Sequence, residues 1–113
     1  MQSTRQQKFS RLVQKEIAEI LMREAKGLFG NTMITVTEVR VSPDLSVAKI
    51  YVSLFPVKDR ETVFDLLLEH TKEIRKHLGN RIRHQARITP ELIFYLDDTL
   101  DEAERIDQLL KKK

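Results

Sequence analysis

The chain has 113 residues, with 20 lysines and arginines against 17 aspartates and glutamates, and at that length one domain can bury roughly two thirds of the surface its unfolded form exposes. Cysteine is absent, which excludes a disulfide framework, a thiolate metal site and a cysteine nucleophile, and suits a reducing cytoplasm. Residues 1–8 lack the apolar stretch of a signal peptide, and no segment approaches the roughly 20 apolar residues of a membrane span, so a soluble cytoplasmic protein is expected.

Apolar residues at Phe9, Leu12, Val13, Ile17, Ile20 and Leu21 follow the helical period and predict an amphipathic helix from about Thr4 to Lys26, ended by Gly27 and Gly30. Two β-branched runs follow, Met33 to Val41 and Leu45 to Leu54. The Ser42-Pro43-Asp44 between them pre-sets a tight turn, so the pair predicts an antiparallel hairpin. In the second run Ala48, Ile50, Val52 and Leu54 alternate with Val47, Lys49, Tyr51 and Ser53, separating a core face from a wetter one. The first run slips phase between Val36 and Val39, which a bulge near Thr37 and Glu38 explains.

Pro56 breaks the strand, and Asp59 or Thr62 can cap a helix carrying Val63, Phe64, Leu67, Leu68, Ile74 and Leu78. Gly79-Asn80 interrupts it while Ile82 continues the stripe, so two helices or one bent helix are expected up to about Gln85. Thr89-Pro90 ends that element. Leu92, Phe94 and Leu96 then alternate with Ile93 and Tyr95 as a third strand, and Thr99 caps a last helix with Leu100, Ala103, Ile106, Leu109 and Leu110 inward. No internal repeat interrupts the expectation of a single domain over residues 1–113.

Charge is unevenly placed along this order. Lys72, Arg75, Lys76, Arg81, Arg83 and Arg87, with His77 and His84, face one acid, Glu73. Such a cluster keeps a residual positive potential that attracts a polyanion and displaces its counterions on contact, unless it is merely a solvated helix face. Lys8, Arg11 and Lys15 lie opposite the apolar side of the first helix and can extend that basic surface. Residues 97–107 hold six acids and one base, an ordinary acidic helix or one that orients the protein away from a polyanion.

The element order, αββααβ plus a terminal helix, is that of an α+β domain whose helices cover one face of a three-stranded sheet, and also that of the type II KH domain. Val41-Ser42-Pro43-Asp44-Leu45-Ser46-Val47-Ala48-Lys49-Ile50-Tyr51-Val52-Ser53, with the later Thr89-Pro90-Glu91-Leu92-Ile93-Phe94 and Asp97-Asp98, resembles the ribosome-binding factor A family. Phe9-Ser10-Arg11-Leu12-Val13-Gln14-Lys15-Glu16-Ile17 is similar to that family's first helix. The resemblance spans nearly the whole chain. It implies a bacterial assembly factor that binds the small (30S) ribosomal subunit, assists late maturation of 16S ribosomal RNA near its 5′ end, and matters most in the cold. Adjacent ribosomal proteins or a releasing GTPase are further partners it admits.

A KH domain grips a single strand with a GxxG loop between its middle helices. Here Gly27-Leu28-Phe29-Gly30 follows the first helix instead and reads as a helix stop. The family typically replaces the loop with a kink marked by alanine, any residue, glycine. The corresponding His70-Thr71-Lys72 has neither small residue, so the bend is expected there or at Gly79-Asn80.

Catalysis has little support. Asp97-Asp98 and Glu91 could pose as paired acids, but consecutive strand-end carboxylates point different ways, and Asp98-Thr99 reads better as helix-capping chemistry. His70, His77 and His84 recur every seven residues, roughly 10 Å apart on a helix and too far to share a metal. The expectation is a monomeric, noncatalytic RNA-binding protein without cofactor, whose Lys72, Arg75, Lys76, Arg81, Arg83, Arg87, Lys8, Arg11 and Lys15 meet phosphates. Tyr51 is a candidate for stacking on a base, although packing under a helix or at a sheet edge is expected instead. Two competing readings are a protein-interaction module whose basic segment meets an acidic partner and a generic single-strand binder. Seven aromatics, with Phe9, Phe64 and Phe94 committed to the core, leave few platforms for the latter.

Overall fold

Ser3 and Gln6 start the first helix by a reciprocal exchange: the Gln6 amide donates to Ser3 Oγ at 3.2 Å, and the Ser3 amide donates to Gln6 Oε1 at 2.9 Å. That capping box satisfies two amides that no helical carbonyl can reach. The computed structural model describes residues 2–23, 32–55 and 60–97, and within them α1 runs Thr4–Arg23. The expected helix stops at Gly27 and Gly30, the Asp59 cap and the Thr99 helix lie outside the described residues.

Strands β1 (Met33–Val41) and β2 (Val47–Phe55) pair antiparallel, and β3 (Glu91–Leu96) joins β2 in parallel, giving the order β1-β2-β3. The register of β1 on β2 shifts between Val36 and Glu38. Thr37 is thus the extra residue of a bulge, and Val36 and Val39, three apart, both reach the core. Gln6 and Gln14, on one side of α1, donate their Nε2 protons to the carbonyls of Val41 at 3.0 Å and Val36 at 3.3 Å, fastening the helix along edge strand β1.

Between the strands, Pro43 occupies the second position of a turn closed by the Leu45 amide on the Ser42 carbonyl at 2.9 Å. Leu45 takes φ 62°, a left-handed conformation that costs a branched residue about 1–2 kcal/mol, and it packs against the core. The Ser42 and Ser46 hydroxyls each donate to Asp44 Oδ1 at 2.7 Å, and the Ser46 amide adds a third bond at 3.1 Å. The Ser42 hydroxyl, then those from Ser46, pull the Asp44 carboxyl down from its ordinary 3.8 to about 2. Because the folded value is the lower one, this contribution to hairpin stability is present above about pH 4 and is lost as pH falls toward 2. The Asp44 carboxyl carbon shift should therefore titrate with a midpoint near 2; a midpoint at the ordinary aspartate value would show that the serines do not hold it in solution.

Helices α2 (Arg60–Glu69) and α3 (Thr71–Ile82) carry the chain from β2 to β3. The chain bends at His70, φ −98° and ψ 12°, where its amide is shared between the Leu66 and Leu67 carbonyls at 3.1 and 3.2 Å. His70 Nδ1 donates to Leu66 O at 2.8 Å and Thr71 Oγ1 to Leu67 O at 3.3 Å, so side chains complete the last turn of α2 where the helix breaks. Of the two expected positions for the bend, this is the first. Gly79-Asn80 lies inside α3, so the interruption expected there does not occur.

The side chains of Phe9, Val13, Ile17, Ile20, Ala48, Ile50, Val52, Leu67, Ile74, Leu78, Ile82, Leu92 and Phe94 form the core between helices and sheet. The three helices among the described residues lie on that one face, as the alternating burial of β2 and β3 requires. No helix among the described residues is long and apolar enough to cross a membrane.

Candidate nucleic-acid interface

Burial of Ile74, Leu78 and Ile82 fixes the rotation of α3, and with it the direction of every cation on the helix. Lys72, Lys76 and Arg83 are spaced by four and seven residues and stand together on the solvent side, all exposed. Lys72 and Lys76 make no hydrogen bond or ion pair among the described residues; Arg83 Nε approaches His84 Nε2 at 3.4 Å. Glu73, one helical step aside, is the only acid on α3, so the face keeps a net positive charge.

Two other arginines of the cluster bond within the fold, Arg81 half-buried and Arg75 still exposed. Arg75 Nε donates to Pro90 O at 3.0 Å and its Nη2 to Thr89 O at 2.8 Å, so the guanidinium grips the backbone that leads into β3. Arg81 Nη1 donates to Glu16 Oε2 at 3.1 Å and Glu19 Oε2 at 2.9 Å, joining α3 to α1. Sequence reasoning placed both among the phosphate contacts; each also has partners within the fold. Periodicity gave no warning for Arg81, whose partners are over 60 residues away.

Gly79 is a close-packed position that periodicity missed. A Cβ there would meet Thr89 Oγ1 at 2.7 Å, closer than side chains tolerate, so glycine permits the loop after α3 to lie against the helix. The pairing of a mid-helix glycine with a downstream Thr-Pro was the available signal. Arg87 and Ile88, in that loop, are exposed, Ile88 by 66%.

On α1, Lys8, Arg11 and Lys15 are exposed at spacings of three and four, on the side away from buried Val13 and Ile17. The acids Glu16 and Glu19 occupy the flank that meets α3 through Arg81, so an anionic seam adjoins this second basic ridge.

Among the described residues, no element covers the opposite face of the sheet. Tyr51 lies on the central strand rather than at an edge, under no helix among the described residues, and stacks on Tyr95 with centroids 5.2 Å apart and planes at 21°. Its row also holds Glu38, which bonds Arg40 at 3.0 Å, so the charges of this face are partly cancelled. Thr37 Oγ1 donates to Asp97 Oδ2 at 2.7 Å. Asp97 and Glu91 flank the length of β3, about 20 Å apart. Among the described residues no group of three or more histidines and acids is arranged to hold a metal ion.

The family model described as Ribosome-binding factor A matches residues 5–110. The chain belongs to the ribosome-binding factor A family. Ribosome-binding factor A of Cytophaga hutchinsonii is 53% identical over 112 residues, covering 99% of this chain and 84% of its relative. That of Prosthecochloris aestuarii is 44% identical over 111 residues, covering 97% and 89%. The fold agrees with the crystal structure of ribosome-binding factor A from Thermus thermophilus, at TM-score 0.67 and 23% identity over 80% of this chain and 94% of that one. A Thermus thermophilus homology model of ribosome-binding factor A, fitted into a cryo-EM map of its 30S complex, matches at TM-score 0.60 and 24% identity over 78% and 90%.

Proposed function

We propose that this chain is a noncatalytic assembly factor that docks on the small ribosomal subunit through the cationic face of α3 and assists late maturation of the 5′ end of 16S ribosomal RNA, with its greatest importance in the cold. The observation that carries the docking is the exposed trio Lys72, Lys76 and Arg83, available to phosphates because the core turns them outward. Family membership supports the partner, and the placement of the Thermus thermophilus protein in a 30S complex supports the size class of its target.

Phosphate contacts position a protein without reading sequence, so recognition rests on the shape of folded ribosomal RNA, in the cytoplasm where the subunit matures. A binder that prefers one arrangement of an immature subunit shifts the population toward it without breaking a bond. Adjacent ribosomal proteins or a GTPase then complete release. Affinity for purified 30S subunits should fall log-linearly with salt, and free 16S ribosomal RNA should compete. Salt-independent binding without competition would favour a protein partner. Depletion at low temperature should leave precursor 5′ ends, read by primer extension; mature ends would remove the processing role.

A further inference from the structure

We infer that Arg75 and Gly79 are positioning residues of this RNA-facing surface: they lock the loop after α3 onto the helix, so that Arg87 and Ile88 form a fixed second rim beside Lys72, Lys76 and Arg83. The inference rests on the docking role proposed above and adds how the surface is built and what its apolar point meets.

Gly79 sits in the middle of the cationic face by helical spacing. Lys76 and Arg83 are three and four residues from it, Lys72 is seven, and Arg75 is four on the side nearer the sheet. Thr89 packs at Gly79, and Arg75 holds the carbonyls of Thr89 and Pro90 with two donors. Pro90 is fully buried, and the next amide, of Glu91, donates to Ser46 O at 2.8 Å as β3 begins. The loop is thus held from its downstream end at three consecutive residues. At its upstream end the Gln85 and Ala86 amides both donate to Ile82 O, at 2.8 and 2.9 Å. Residues 87 and 88 are what remains between these anchors, and both are exposed.

Arg87 and Ile88 therefore lie two residues and one residue from the Thr89 contact, within about 8 Å along the chain. A guanidinium there adds to the phosphate-binding charge of α3. Ile88, two-thirds exposed beside Arg87 on that rim, gains by burying apolar surface against a partner. Its chemical match is the flat apolar side of an unstacked base or ribose, which folded RNA presents at bulges and loops. Holding these groups in place before contact removes ordering cost from binding.

The test is a double-mutant cycle on 30S binding. Arg75→Ala and Gly79→Leu should each weaken association about tenfold, the latter with no change of charge. Arg87→Ala with Ile88→Ala should weaken it at least as much, and adding Arg75→Ala to that pair should cost little more, because both act through one loop. Amide hydrogen exchange at residues 86–89 should rise in the Arg75 and Gly79 variants without RNA present. Additive losses would make Arg75 an independent phosphate contact, and wild-type binding by Gly79→Leu would overturn the inference. If Ile88→Ala alone binds like wild type, the apolar contact is wrong. If the wild-type chain shows no salt-dependent 30S binding, the docking role itself fails, and this inference with it.

Discussion

Replacing Lys72, Lys76 and Arg83 together by glutamate should abolish co-sedimentation with 30S subunits while the circular dichroism and melting temperature stay near those of the wild type. Each phosphate contact contributes close to one unit to the slope of log affinity against log salt. Losing three contacts and adding three repulsive charges should lower affinity more than about a hundredfold at physiological salt. The fold should tolerate the change because all three side chains are exposed and none bonds a carboxylate among the described residues. The same reversal of Lys8, Arg11 and Lys15 should have a smaller effect, since Glu16 and Glu19 adjoin that ridge and reduce its potential. Undiminished binding by the α3 triple variant would remove this face from the interface.

Arg81→Glu should act on stability instead. Its side chain is 23% exposed and those of its partners Glu16 and Glu19 are 17% and 39% exposed. That places the network between a solvated ion pair, which contributes at most about 1 kcal/mol, and a buried one, whose disruption costs about 3–5 kcal/mol. Glutamate would remove the shared cation and set a third carboxylate beside the other two. A loss of about 2 kcal/mol is expected, a fall in melting temperature of roughly 10 °C for a domain of this size. Adding Glu16→Lys and Glu19→Lys should restore much of it by reversing the whole network. Arg81→Gln, measured cold enough to remain folded, should bind subunits almost as the wild type does. Lost binding with unchanged melting would instead make Arg81 an RNA contact.

These contrasting expectations show where sequence reading succeeds and where it stops. The bulge at Thr37 was legible because burial in a strand has period two, and a three-residue step from Val36 to Val39 violates it. The hairpin was legible from proline and aspartate between β-branched runs, both local signals. Ser3 and Gln6 carried a capping box that the apolar pattern alone overlooked, since it marks faces rather than ends. The bend resolved at His70 because Nδ1 and the Thr71 hydroxyl satisfy α2 carbonyls there, something no glycine count reveals. The cationic cluster was visible as composition, but composition cannot separate Lys76, which faces water, from Arg75, which holds a backbone fifteen residues away. Tyr51 was correctly put on the wetter hairpin face, yet its position on a central strand depended on β3 pairing beside β2.

The parallel pairing of β2 with β3 also governs when the surface proposed to meet RNA comes into being. The hairpin of β1 and β2 closes over a few residues, whereas Val47 meets Glu91 only after about forty intervening residues are gathered. The entropy of that longer closure is greater by about 1.5 kcal/mol, and such non-local contacts form late in folding. The loop bearing Arg87 and Ile88 leads directly into β3, so it reaches Gly79 only when that last strand docks. A nascent chain stalled before β3 would display a hairpin and basic helices but no assembled rim. Competence for ribosomal RNA is therefore expected only once the parallel strand has docked.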